Sequence, residues 1–160
     1  RVSSFEDFQR FCQAGRELAA LHIGYETAPM YPATLETSPK TLNPSHYRVE
    51  KMRFGKTGGK KDTSKIVYNE HITVTGIPDK AYEYVVNGKS AIEWLMDRQR
   101  VREDTRGKSG IVNDPNDWAT ETMNDPKYPL ELLLRIIHVS LETVQIMTEL
   151  PSFRTGQTDE

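Results

Sequence analysis

The chain has 160 residues, 36% hydrophobic and 28% charged, with a net charge of −2 and one cysteine. That length can bury a core without metals or disulfides, and suits one domain, expected over residues 1–151. No apolar run approaches the roughly 18–20 residues of a membrane span, and a lone Cys12 excludes an internal disulfide framework, so a cytoplasmic setting is expected. The opening RVSSFEDFQRF lacks a signal-peptide pattern and begins directly on a helical one, as a part of a longer protein would.

Ser3 and Ser4 are candidate N-caps for a first helix, with Glu6 and Asp7 favourable in its first turn. Phe5, Phe8, Phe11/Cys12, Leu18 and Leu21 give it an apolar stripe to about Ile23. Gly15 interrupts the stripe at a cost of about 1 kcal/mol relative to Ala, which a close approach by another element would explain. Four prolines between Ala28 and Pro44 forbid a helix there and favour an extended surface segment. Tyr47–Phe54 alternates as a strand, with Tyr47, Val49 and Lys51 on one side. Gly55–Asp62 reads as a Gly/Lys-rich turn, and Lys65–Tyr68 and His71–Thr75 as short β-branched strands. A hairpin would then carry the basic loop at its tip.

Ala81–Val86 reads as a strand, with a helical turn at Asp79–Tyr84 as the alternative. Asn87-Gly88 is a strong turn signal. Ser90 and Glu93 form a capping box, so a helix should start at Ser90 and turn Ile92, Leu95, Met96 and Gln99 inward. Arg98, Arg100 and Arg102 fall near its end, where cations complement the helix dipole. Glu103–Asn116 is a polar loop. Pro126 or Pro129 opens the longest helix, to about Leu150, striped by Leu130, Leu133, Leu134, Ile137, Leu141 and Val144. Residues 152–160 form a frayed tail. The expected fold class is α+β: a small, mostly antiparallel sheet with the N-terminal, central and C-terminal helices packed around it.

Charge is segregated. Arg48–Lys65 holds seven basic residues against two acidic, and Arg98–Lys108 five against two. With the net at −2, the remainder is −10, so one positive face is compatible with a near-neutral chain. Gly55-Lys56-Thr57 is not a phosphate loop: a glycine is needed five residues earlier, position 50 is Glu50, and Gly-Gly-Lys-Lys follows where a helix should start. The four histidines show no i, i+4 spacing and no nearby cysteine pair, so no zinc site is expected. Cys12, inside an apolar stripe, reads as a structural thiol. Asp114, Asp117 and Asp125 lie in turn-forming sequence, where Asp and Asn cap backbone groups and need not converge on a catalytic cation. Trp94, Trp118, Tyr82 and Tyr84 are expected to pack.

Three stretches belong together: GRELAALHIGYE (Gly15–Glu26), ITVTGIPDKAYEYVVNGKSAIEWLMDRQRV (Ile72–Val101) and SGIVNDPNDWA (Ser109–Ala119). In that order they resemble the C-terminal specificity domain of the single-polypeptide, type I-like restriction-modification enzymes. The resemblance runs from about Phe5 to Pro151. It implies a non-catalytic domain that reads a duplex DNA site for a nuclease, a helicase-like ATPase motor and an adenine methyltransferase carried elsewhere on the polypeptide, with no cofactor of its own. A rival within the same enzyme is a module that couples those domains without touching DNA. An interface to them would use apolar surface on a terminal helix.

From charge alone the Gly/Lys loop is a solvated hairpin tip; the resemblance turns it into a DNA finger, with glycines letting the backbone near phosphates and lysines displacing counterions. The arginines after the central helix have two readings, guanine recognition or helix-end charge paired with Glu103 and Asp104. Arg98 and Arg102, four apart, would share a helical face. The DNA-contacting candidates are Arg53, Lys56, Lys60, Lys61, Lys65, Arg98, Arg102, Arg106 and Lys108. They rest on charge and loop placement, since the resemblance carries no contact list.

Overall fold

The computed structural model describes residues 4–103 and 110–151. Arg106, Lys108 and the tail at 152–160 lie outside them. The fold is α+β, with a four-stranded antiparallel sheet, as the sequence led one to expect.

Helix α1 spans Phe5–Ile23, capped by Ser4, whose Oγ accepts from the Asp7 N–H at 3.0 Å. Its apolar residues do not all turn inward: Ala14 is its one buried residue, while Phe5 is 73% and Phe8 53% exposed. Gly15 also departs from expectation, because nothing beyond its own stretch of helix backbone lies within 4 Å of where its Cβ would sit. No element of the described structure approaches it.

The proline-rich segment is largely extended, but it contributes strand β1 (Thr34–Thr37). This is an edge strand, where prolines on either side break no ladder. Its four residues stay exposed or half-exposed, so no hydrophobic alternation announced it. Asn43 then caps a single 3-10 turn at Pro44–Tyr47. That turn moves the next strand: β2 is Arg53–Thr57, not Tyr47–Phe54. The inward residues before it are Val49 and Met52, and Lys51 is exposed.

Strand β3 (Lys60–Val67) continues through the segment expected to be a loop. The hairpin closes on Gly58 and Gly59 alone, both with positive φ (57° and 80°), the backbone a two-residue turn requires. Its register shifts between Phe54, opposite Ile66, and Gly55, opposite Asp62, leaving Thr63–Lys65 as a bulge. Asp62 organises that bulge. One carboxylate oxygen accepts from the Ser64 N–H (3.0 Å) and Oγ (2.6 Å), the other from Thr57 Oγ1 (2.6 Å). These hydroxyls hold the carboxyl below the usual carboxylate range. A Cβ at Gly55 would fall 2.8 Å from the Lys65 Cβ, so this glycine has the close neighbour that Gly15 lacks.

β4 (Ile72–Thr75) completes the sheet, ordered β1-β4-β3-β2. Asp79–Tyr82 is a 3-10 turn, the alternative weighed above, and β5 (Val85–Val86) pairs with β6 (Lys89–Ser90) across Asn87-Gly88. The capping box forms as expected, with Ser90 as N-cap of α2 (Ala91–Arg98). α2 stops there, so Arg102 is not helical; it lies on β7 (Arg102–Glu103), paired with β8 (Val112–Asn113). A single turn, α3 (Pro115–Asp117), leads into a π-helix at Trp118–Thr122. Trp94 is half-buried and donates to the Val86 carbonyl, but Trp118 is 55% exposed, against expectation.

Helix α4 (Tyr128–Thr148) joins the layers. One face meets the sheet and α2: Leu130, Leu133, Leu134 and Ile137 pack with Ile66, Tyr68, Ile72, Val74, Ile92 and Met96. Each fully buried aliphatic side chain here contributes about 1.5–3 kcal/mol relative to exposure. The face toward α1 carries the polar contact His22 Nε2 to Thr143 Oγ1 (2.9 Å).

Candidate nucleic-acid interface

The described part of the second basic segment, residues 98–103, is a neighbour in space of the first, some fifty residues earlier in sequence. Lys51 forms an antiparallel bridge with Arg100, and the Val101 N–H donates to the Glu50 carbonyl at 3.0 Å. The chain leaving α2 is thereby laid beside the chain entering β2.

A buried asparagine holds this junction. Asn116 accepts from the Val49 N–H (2.9 Å) and donates to the Val49 carbonyl (2.8 Å), as a neighbouring strand would. Asp114 fixes that side chain (2.6 Å) and receives Arg48 Nη2 at 2.6 Å, while Arg48 Nε donates to Glu50 at 2.7 Å. Burial alone would raise the Asp114 carboxyl, but the Asn116 backbone N–H and the Arg48 guanidinium outweigh it and hold the carboxyl below the usual range. Arg48 is therefore a neutralised, structural cation. The Asn and Asp residues of this turn cap backbone groups, as their sequence suggested.

Beside the junction lies a groove of about 480 Å³ lined by Arg48, Lys51, Arg53, His71, Glu50 and Glu70 among others. Asn69 makes its floor rigid. Its amide nitrogen donates to the His46 (2.7 Å) and Arg48 (2.9 Å) carbonyls, and its oxygen accepts from the His71 and Ile72 N–H groups at 2.8 Å each.

Arg53 opens β2 on this groove, exposed and without an ion pair. Lys56, Lys60 and Lys61 are exposed as expected, but on strands. The pleat fixes which way they point. Lys56 lies directly opposite Lys61 and so shares its face, whereas Lys60 opposes Thr57 on the other. Like charges directly opposed are unfavourable. Lys61 relieves part of this by lying over the Phe54 ring (4.1 Å to the centroid) and 3.8 Å from Glu93. Lys65, in the bulge, is 3.8 Å from Asp62. Among the described residues Arg53, Lys56, Lys60 and Arg98 carry no ion pair.

Arg98 is exposed at the last position of α2, while Arg102 donates from Nη2 to the Asp97 carbonyl at 2.6 Å. They do not share a helical face, because the helix ends between them. Arg100 is half-buried, and its Nε is a buried donor with no hydrogen-bond partner among the described residues. Asp97 is held below the usual carboxylate range, first by its bond from Lys89 and further by the fields of Arg100 and Arg102. Lys51 is counted in the first basic run but is not among the contact candidates, and the strand alternation from Tyr47 sets it beside Val49, whereas it is exposed. The Pro44 turn, with Asn43 before it, was the signal that such alternation starts too early.

Among the described residues no group of three His, Cys, Asp or Glu side chains is placed to hold a metal ion, and no helix is long and apolar enough to cross a membrane. Cys12 is half-buried.

Residues 1–132 match the family model for the Type ISP C-terminal specificity domain. Three solved structures are similar. The ATP-dependent Type ISP restriction-modification enzyme LlaBIII bound to DNA is 44% identical over 91% of this chain, with a TM-score of 0.77. A nuclease-deletion mutant of the Type ISP enzyme LlaGI in complex with a DNA substrate mimic is 42% identical over 92%, with a TM-score of 0.76. The DrdV–DNA complex is 29% identical over 90%, with a TM-score of 0.67. This chain spans only 9%, 13% and 14% of those three polypeptides. No curated protein matches it. With its family model matched over most of its length, and its α+β layers shared with two Type ISP enzymes at over 40% identity, the chain belongs to the Type ISP C-terminal specificity domain family.

Proposed function

We propose that this chain recognises a specific duplex DNA site as the specificity domain of a restriction-modification enzyme, with residues 1–151 acting as one target-recognition unit. Nuclease, motor and methyltransferase chemistry would belong to other parts of the polypeptide. The observation that carries this is the likeness, at 44% and 42% identity, to Type ISP enzymes solved with DNA or a DNA mimic. The charge layout supports it. Uncompensated cations sit on a hairpin tipped by two glycines, beside a junction that gathers a second set of arginines.

In this reading Arg53, Lys56 and Lys60 grip phosphates, and Lys61 and Lys65 do so after leaving long contacts of 3.8 Å to the half-buried Glu93 and Asp62. Arg98 is free to reach a base edge. Arg102 contributes through the nitrogens that its bond to Asp97 leaves open, and Arg106 and Lys108 extend the same segment. Selection from a random duplex pool at two salt concentrations tests the proposal. Enrichment of one motif is expected. With three to five phosphates neutralised, log K should fall with log salt at a slope of about −3 to −4.5. No retention at low salt would favour the coupling-module reading instead.

A further inference from the structure

Helix α1 has more apolar surface than this chain uses. At about 100° per residue, Phe11, Ala14, Leu18 and Leu21 fall on one side of the helix, all buried or half-buried, and Ala14 and Leu21 line grooves shared with Ile146 and Glu149 of α4. A second set, Phe5, Phe8, Cys12, Gly15, Ala19 and Ile23, recurs at spacings of three and four along the whole helix and falls within about 80° of arc. Of these only Cys12 is half-buried; the rest are exposed, Ile23 by 84%. The helix's solvated face is separate and already dressed: Arg10 pairs with Glu6 at 2.9 Å, and Gln13 donates to Glu17 at 2.7 Å. The bare arc is therefore a third face, apolar from end to end.

The middle of that arc is shaped for a neighbour. An interior glycine weakens a helix relative to alanine, and at Gly15 nothing in the described structure beyond its own stretch of helix backbone comes within 4 Å to require it. Gly15 and Ala19, flanked by Phe8 and Ile23, leave a shallow seat where another backbone can approach between larger side chains.

We propose that this face of α1 seats an apolar helix from the remainder of the polypeptide that carries this domain. The inference rests on reading the chain as one domain of a longer enzyme, as its 9% and 13% shares of the Type ISP structures suggest. Most of such a polypeptide lies outside these residues, and a tethered partner meets the face at high effective concentration. An arc of aromatic and small residues, bordered by Arg16, whose Nε donates to the Cys12 carbonyl at 3.3 Å, suits a permanent interdomain contact, which is built like a core cut in half with charge at its rim.

Cys12, in the centre of the arc, reports on its cover. N-ethylmaleimide labelling of the Cys12 peptide, followed by mass spectrometry, should be on the order of tenfold slower in the full polypeptide than in the 160-residue chain. Phe8→Asp and Gly15→Leu should each restore fast labelling in the full polypeptide, and Gly15→Leu should leave the folded 160-residue chain intact, since it enters open space. Equal labelling in the two forms would overturn the proposal. So would protection that neither variant relieves, or protection already present in the 160-residue chain together with a dimer mass in sedimentation, which would give the face to a second copy. None of these readouts involves DNA, so failure of DNA recognition and failure of this contact are distinguishable.

Discussion

Helices α1 and α4 are nearly equal in length, yet α4 buries ten of its 21 residues and α1 one of its 19. α4 is hydrophobic around most of its circumference because it lies between the sheet and α1, and both sides are filled from within the chain. α1 closes one of those sides and leaves its own apolar arc open. An apolar residue therefore means different things on the two helices: internal stability on α4, and surface available to something else on α1. Two glycines repeat the contrast. Gly55 is pressed against the Lys65 side chain, and Gly15 faces open space.

Five experiments test that division, taken from the largest expected effect. Leu133→Ala, at a fully buried site on α4, should cost about 2–5 kcal/mol in urea unfolding, while Phe8→Ala on α1 should cost under about 0.5 kcal/mol. Comparable losses would mean that α1 is as much a part of the core as α4. Gly55→Ala should cost about 1–3 kcal/mol, because the bulge must move to admit a Cβ; an unchanged unfolding midpoint would show that the hairpin yields freely.

Asp114→Ala tests the closed polar side. It removes the cap on Asn116 and the Arg48 contact, for a loss of about 0.5–2 kcal/mol at neutral pH. The Asp114 carboxyl is held below its ordinary value in the folded state. Its contribution is thus complete above an ordinary Asp value of about 3.9 and fades as pH falls through the lower folded value. The stability gap between wild type and variant should close in acid; a gap that is constant down to unfolding pH would show that the charge is irrelevant.

The open hairpin predicts the reverse pattern, with binding changed and stability kept. Replacing Lys56 and Lys60 with alanine should make the salt slope of DNA binding shallower by about 2, uniformly across sequences. Relief of the Lys56–Lys61 opposition should leave stability unchanged or slightly raised. If the double variant binds with the parental slope, the hairpin is not the phosphate grip. The smallest effect is at Gly15. Gly15→Ala should stabilise the 160-residue chain by about 0.5–1 kcal/mol, measured by thermal or urea unfolding; a loss would reveal a neighbour within the chain.

Much was legible where the signal is local. Ser4 before Glu6-Asp7, the Ser90/Glu93 box, Asn87-Gly88 and the leucine stripe of α4 each satisfy backbone groups or bury side chains within a few residues, so sequence alone set those elements and the α+β class. The segregation of charge into two basic runs was equally plain, as was the resemblance to a specificity domain. Tertiary structure decided what depends on distant partners. β1 exists because β4 offers it an edge, not because Thr34–Thr37 has a strand pattern. The hairpin runs straight through the expected loop, because two positive-φ glycines suffice to close it and Asp62 folds the surplus residues into a bulge. Arg98 and Arg102 part because α2 ends between them, and Lys51 meets Arg100 because Asn116 clamps Val49. Local hydrogen bonds and periodicity act over one or two turns of chain and can be read along it. Which apolar stripe is covered, and which cations share a surface, depends on contacts closed across about fifty residues or more, and those exist only once the chain is folded.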